Sequence, residues 1–85
     1  MDIIFITNQI KFDILNTGGM PAQYPYNLLA NTPLTKVGYN SAERCRLLEQ
    51  RLHQIALDYN TGRRISAGDV SEELTVRECI KLVIA

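Results

Sequence analysis

Ile3-Ile4-Phe5-Ile6-Thr7-Asn8-Gln9-Ile10-Lys11-Phe12-Asp13-Ile14 is the stretch on which the fold turns. Residues 3–7 form an unbroken β-branched and aromatic run, the pattern of a buried strand. Residues 10–14 then alternate apolar and polar with period two, the pattern of a half-buried strand. The two runs predict a hairpin across Asn8-Gln9, although that dipeptide lacks the Asn-Gly or Asp-Gly signal of a tight turn, or else one long bent strand. The alternative is a short helix capped by Thr7 or Asn8. We read the stretch as strand, which makes the expected class α+β.

Outward from it, residues 16–40 read as irregular. They hold all three prolines (Pro21, Pro25, Pro33) together with Gly18, Gly19 and Gly38. Proline cannot donate to a ladder and glycine permits positive φ, so no regular element longer than 26–30 is expected here. Leu28, Leu29 and Leu34 are the expected anchors of this segment to the core. Loops of this length in a small domain are uncommon and often functional.

Residues 41–60 carry the clearest helical signal. Asn40 and Glu43 have the spacing of a capping box. Cys45, Leu48, Leu52, Ile55 and Tyr59 recur at intervals of three and four, with Ala56 on the same stripe. Gly62 stands where a left-handed helix stop is expected. The tail is ambiguous. Asp69 with Glu72 is one candidate capping pair and Thr75 with Glu78 a better one, and Val76, Cys79, Ile80, Val83 and Ile84 then fit helical spacing. Ile80-Lys81-Leu82-Val83-Ile84 is also rich in strand formers. Helix is preferred over strand. The bare apolar end, Val83-Ile84-Ala85, is expected to pack against the core or a partner.

An 85-residue chain that is 46% hydrophobic supports one small domain. Such a domain buries only about 60–65% of its unfolded surface. Nine Lys and Arg balance nine Asp and Glu, which argues against a general DNA-coating protein, for which a basic surface is needed. The charge is unevenly placed: residues 1–40 carry only Asp2, Lys11, Asp13 and Lys36, and the other fourteen charges fall between Glu43 and Lys81. A front half so poor in charge is expected to be buried or to form an interface. Cys45 and Cys79 lie far apart on apolar faces and His53 is the single histidine, so no zinc site and no cofactor are expected, only buried reduced thiols. Met1-Asp2 opens into the apolar run without a basic leader, and no apolar stretch reaches the length of a membrane span, so the expected address is the cytoplasm and no membrane contact is expected.

Two residue sets stand out as candidate binders. Residues 41–64 contain five arginines and no lysine. A helical wheel puts Arg44 and Arg51 beside the apolar stripe and Arg46 and His53 on the far side, and Arg63 and Arg64 follow the helix. Arginine's planar fork matches phosphate and carboxylate oxygens, although a solvated face balanced by Glu43, Glu49 and Asp58 gives the same pattern. Tyr24, Tyr26 and Tyr39, with Asn40, lie in the irregular segment, where tyrosines suit interfaces and base stacking or seal a loop to the core. Glu49 precedes His53 by four residues, a spacing at which the two can pair.

Ile4-Phe5-Ile6-Thr7-Asn8, followed by Phe12 to Leu15, resembles the opening strand of a family of small viral proteins that counter host nucleotide signalling. That family includes ring nucleases that cleave cyclic oligoadenylate and sponges that sequester cyclic ADP-ribose signals. Val37-Gly38-Tyr39-Asn40-Ser41 resembles its later Ile-Gly-His segment leading into a helix, and Arg64 and Gly68-Asp69 follow in the order of further landmarks. The catalytic His position holds Tyr39, so the resemblance implies nucleotide binding without that catalysis.

With no nucleophile–base pair readable, the leading expectation is a non-enzymatic module that acts through protein–protein contacts and self-associates or completes a larger complex with a protein partner. The alternative is an anti-defence protein that grips a small nucleotide with loop tyrosines and helix arginines.

Overall fold

The computed structural model describes residues 2–20 and 28–84. It builds three helices, α1 (Ile3–Thr17), α2 (Ala42–Asp58) and α3 (Val76–Ile84), with a short 3₁₀ turn (Leu34–Val37) between the first two. Each helix packs against the other two. Among the described residues there is no strand, and the β-type pairing seen is one isolated antiparallel bridge between Pro33 and Thr75. The α+β expectation is therefore corrected to a small, mostly helical fold, and the N-terminal hairpin or bent strand to a helix.

The reason lies in spacing that serves both periods. Ile10 and Ile14 are two steps of two apart and also one helical turn apart, and Ile6 continues the helical series backwards. All three are buried, as are Asp13 and Leu15. Phe12 discriminates: a strand would place it beside Ile10 and Ile14, but it stands on the outer side, 45% exposed. No Gly or Pro interrupts residues 3–17, and the Asp2 carboxylate caps the helix by accepting the Phe5 amide hydrogen at 3.0 Å. Five isoleucines in this helix lower its intrinsic propensity, and the contacts with α2 and α3 override that preference.

α1 ends at a close crossing of two glycines. A Cβ on Gly18 would collide with the Val37 carbonyl oxygen, and one on Gly38 with the Gly18 carbonyl oxygen. Gly38 also sits at φ +100°, a left-handed conformation. The end of α1 and the turn leading to α2 are thus in backbone contact.

α2 lies where the sequence places it, with its caps shifted. Ser41, not Asn40, accepts the Arg44 amide hydrogen at 3.2 Å, so Glu43 falls one position short of the reciprocal capping place. At the other end the left-handed residue is Asn60 at φ 53°, and Gly62 makes a second turn at φ 80°. Cys45, Leu48, Leu52, Ile55 and Ala56 are buried, and Tyr59 packs against the core at its edge.

The tail is helical. Thr75 and Glu78 bond reciprocally, the Thr75 amide donating to Glu78 Oε1 at 3.0 Å and the Glu78 amide to Thr75 Oγ1 at 3.4 Å. The start of α3 is tied further by residues 30–34. The amides of Val76 and Arg77 donate to the carbonyls of Thr32 (3.0 Å) and Ala30 (2.7 Å), and the Leu34 amide donates to the Leu74 carbonyl (2.9 Å). Leu28 and Leu34 anchor this segment as expected, whereas Leu29 is exposed. Of the stretch 26–30, residues 28–30 form a bend and a turn and no helix or strand, and residues 26 and 27 lie outside the described residues.

Candidate functional site

The tyrosines and arginines singled out above do not converge. Tyr24 and Tyr26 lie outside the described residues. Tyr39 is fully buried, and its hydroxyl donates to the Ile14 carbonyl at 2.7 Å, pinning α1 to the turn before α2. Burial pushes its phenol well above the ordinary range. Asn40 is exposed and precedes the cap.

The arginines divide along α2 as the wheel predicts. Arg44 and Arg51 face α1: Arg44 donates to the Thr17 carbonyl at 3.3 Å, and Arg51 pairs with Asp13 at 3.3 Å. The first supplies positive charge at the C-terminal end of α1, where the helix dipole favours it. Asp13 is buried, so Arg51 neutralises a carboxylate that α1 turns inward. Arg63 reaches the end of α3, donating to the carbonyls of Leu82 (3.4 Å) and Lys81 (3.5 Å). Arg64 is exposed and makes no hydrogen bond or ion pair among the described residues.

The opposite edge of α2 holds a cluster whose centre sequence reasoning missed. Glu49 is 5% exposed. Its Oε2 accepts the amides of Gly68 and Val70, both at 2.9 Å, and Arg46 grips it as a fork, Nε to Oε1 at 2.7 Å and the other arm to Oε2 at 2.9 Å. Arg46 also donates to the Val70 carbonyl at 2.7 Å. The carboxylate thus staples residues 66–70 onto α2. Glu49 does not pair with His53, whose Nδ1 instead accepts the Ile65 amide hydrogen at 3.3 Å. The available signals were the Arg46–Glu49 spacing of three and the position of Glu49 next to Leu48 on the buried side.

Both thiols are buried, and burial raises their pKa, Cys79 up to about 12. They stand as protonated core side chains at neutral pH. Among the described residues no three His, Cys, Asp or Glu side chains gather as a metal site requires, and no helix is long and apolar enough to cross a membrane.

What the fold leaves outside is the far face of α1. Phe5, Asn8 and Phe12 follow at intervals of three and four, with Ile4 beside them, and all four are exposed. Ile4 is 76% and Phe5 54% exposed. The Phe5 ring is set edge-on against Tyr59, centroids 5.8 Å apart, so α2 orients it. The two charges of α1 are Lys11 and Asp13, and Asp13 points inward. The outer face of α1 is therefore apolar, aromatic and almost uncharged.

In comparison with known proteins, the chain matches no family model, no curated protein and no solved structure.

Proposed function

We propose that this chain is a non-enzymatic interaction module that self-associates through the outer face of α1. The observation that carries the reading is the row of Ile4, Phe5 and Phe12 left exposed on a helix already packed on its other side. Large apolar side chains left on the outer side of a packed helix mark a surface that a partner covers. A second copy suits this face because Lys11, at its border, is the one charge α1 brings to it, so a heterologous partner finds little charge to complement and two such faces meet with little like-charge conflict. Phe5 and Phe12, with Asn8 between them and Gln9 at the border, bring to this face the aromatic content typical of interface cores.

The residues a catalytic reading would recruit have other duties here. Tyr39 donates within the core, His53 holds the Ile65 amide, and both thiols are buried. Reduced buried cysteines also fit the cytoplasm as the proposed address.

Size-exclusion chromatography with light scattering tests the reading. The expected result is a dimer at micromolar concentration that Phe12→Lys converts to a monomer with unchanged helical circular dichroism. A wild-type monomer at all concentrations up to millimolar overturns it.

A further inference from the structure

On the edge of α2 away from α1, residues 62–66 form an open groove of about 500 Å³ against the helix, lined among others by His53, Leu57, Arg63, Arg64 and Ser66. Its volume falls within the range of small-molecule sites. Several of the polar groups here are free donors. His53 Nδ1 accepts the Ile65 amide hydrogen, so in the neutral ring the proton sits on Nε2, which is left as a donor. The amides of Gly62 and Arg64 have no hydrogen-bond partner among the described residues. The Arg64 guanidinium is unpaired among them, and the Ser66 hydroxyl belongs to an exposed residue.

Among the described residues no carboxylate lines the groove, and those near it each accept a hydrogen bond. Glu49 is taken by Arg46, Gly68 and Val70. Asp69 accepts the Ser66 amide hydrogen at 2.7 Å, and Asp58 accepts from Gln54 at 2.8 Å. Gly62 at φ 80° turns the chain at the groove's lip, and a Cβ there would meet nothing within 4 Å. Leu57, 60% exposed, and the side of Ile65 supply an apolar wall.

We propose that this groove binds a small phosphorylated organic molecule. Its phosphate is held by Arg64 with the Ser66 hydroxyl and His53 Nε2–H, and its apolar body lies on Leu57. A phosphate matches the planar guanidinium and accepts from every free donor present. One unpaired arginine in the groove, in a chain of zero net charge, suits a single phosphate group and not a nucleic-acid backbone, which needs a run of cations. This site is separate from the α1 face and does not depend on self-association.

The test is an NMR titration of ¹⁵N-labelled protein with phenyl phosphate, inorganic phosphate and phenol as separate probes. Phenyl phosphate is expected to give saturable shifts at Arg64, Ser66 and the residues around Leu57. Inorganic phosphate should give the Arg64 and Ser66 shifts with weaker affinity, and phenol should leave Arg64 unmoved. Arg64→Gln, at an exposed side chain that touches no partner, should weaken phenyl phosphate about tenfold, the loss of one charge-assisted contact. Phe12→Lys should bind as the wild type does. Linear, unsaturated shifts at millimolar ligand overturn the proposal, as does an Arg64→Gln variant that titrates like the wild type. A single-stranded oligonucleotide that outcompetes phenyl phosphate overturns it in favour of a nucleic-acid surface.

Discussion

α1 and α2 are neighbouring helices of similar length, and each gives one side to the same core. Their outer sides differ in kind. α2 carries Glu43, Gln50, Gln54 and Asp58 outward, with Leu47 and Leu57 among them. α1 presents Ile4, Phe5 and Phe12 with Asn8 between. The edges of α2 are fixed by charge: Arg44 and Arg51 reach α1, and Arg46 with Glu49 holds residues 66–70. α1 is fixed by apolar packing, a cap and one inward carboxylate. A helix with a polar outer side announces its period in the sequence, whereas a helix apolar on both sides hides it and leaves a surface over.

The most damaging way to break this contrast is to remove the charged staple of α2. Glu49→Ala leaves the Gly68 and Val70 amides without their acceptor and Arg46 without its carboxylate. The expected loss is about 3 kcal/mol, the usual result of breaking a buried charged network from one side. Urea denaturation followed by circular dichroism measures it. Glu49→Gln, which keeps an acceptor, should lose less. A Glu49→Ala variant as stable as the wild type would mean that residues 66–70 hold by apolar contact alone.

Next comes the backbone crossing that fastens α1. Gly18→Ala drives a methyl group into the Val37 carbonyl. Because Gly18 has φ −75°, an ordinary value, the penalty is steric rather than conformational. Overpacking of this kind costs about 1–3 kcal/mol. Thermal unfolding of Gly18→Ala should show the drop, and an unchanged midpoint would mean that the two segments separate freely.

These residues also mark what the sequence makes legible. The stripe of α2 follows from a single period, and the division of Arg44 and Arg51 from Arg46 and His53 follows from the same rotation. The helix at the tail follows from the Thr75–Glu78 spacing. α1 does not, because Ile10 and Ile14 fit both periods and because Asp2, the residue that starts the helix, stands next to a run that looks like strand. Tyr39 reads as a loop tyrosine, since nothing local shows that the Ile14 carbonyl will lie within hydrogen-bond reach of it from 25 positions away. Glu49 stays hidden for the same reason: its amide partners at 68 and 70 are brought in by the fold.

A smaller effect compares the two helix starts. Asp2→Ala and Ser41→Ala each remove a side chain that accepts a first-turn amide hydrogen. Each should cost about 1 kcal/mol. The two should add, since the caps belong to different helices and share no hydrogen-bond partner. Hydrogen exchange at Phe5 and Arg44 would show which end frays. Loss of protection at Arg44 alone would mean that the start of α1 draws little from its cap.

The smallest expected effect on the fold is also the one that separates the two outer faces. Phe12 touches solvent on a side of α1 where the core needs nothing, so Phe12→Lys should change the stability of the isolated monomer by no more than about 0.5 kcal/mol. Association adds a dependence on protein concentration, because a partner that binds only the folded chain raises its apparent stability. The wild-type unfolding midpoint should therefore climb with concentration. That of Phe12→Lys should stay flat and coincide with the dilute limit of the wild type. Leu47→Lys, an equivalent change on the outer side of α2, should leave the climb intact. If both variants abolish the concentration dependence, association does not belong to α1 alone. If neither does, the exposed phenylalanine is an ordinary surface residue and the difference between the two helices is one of composition only.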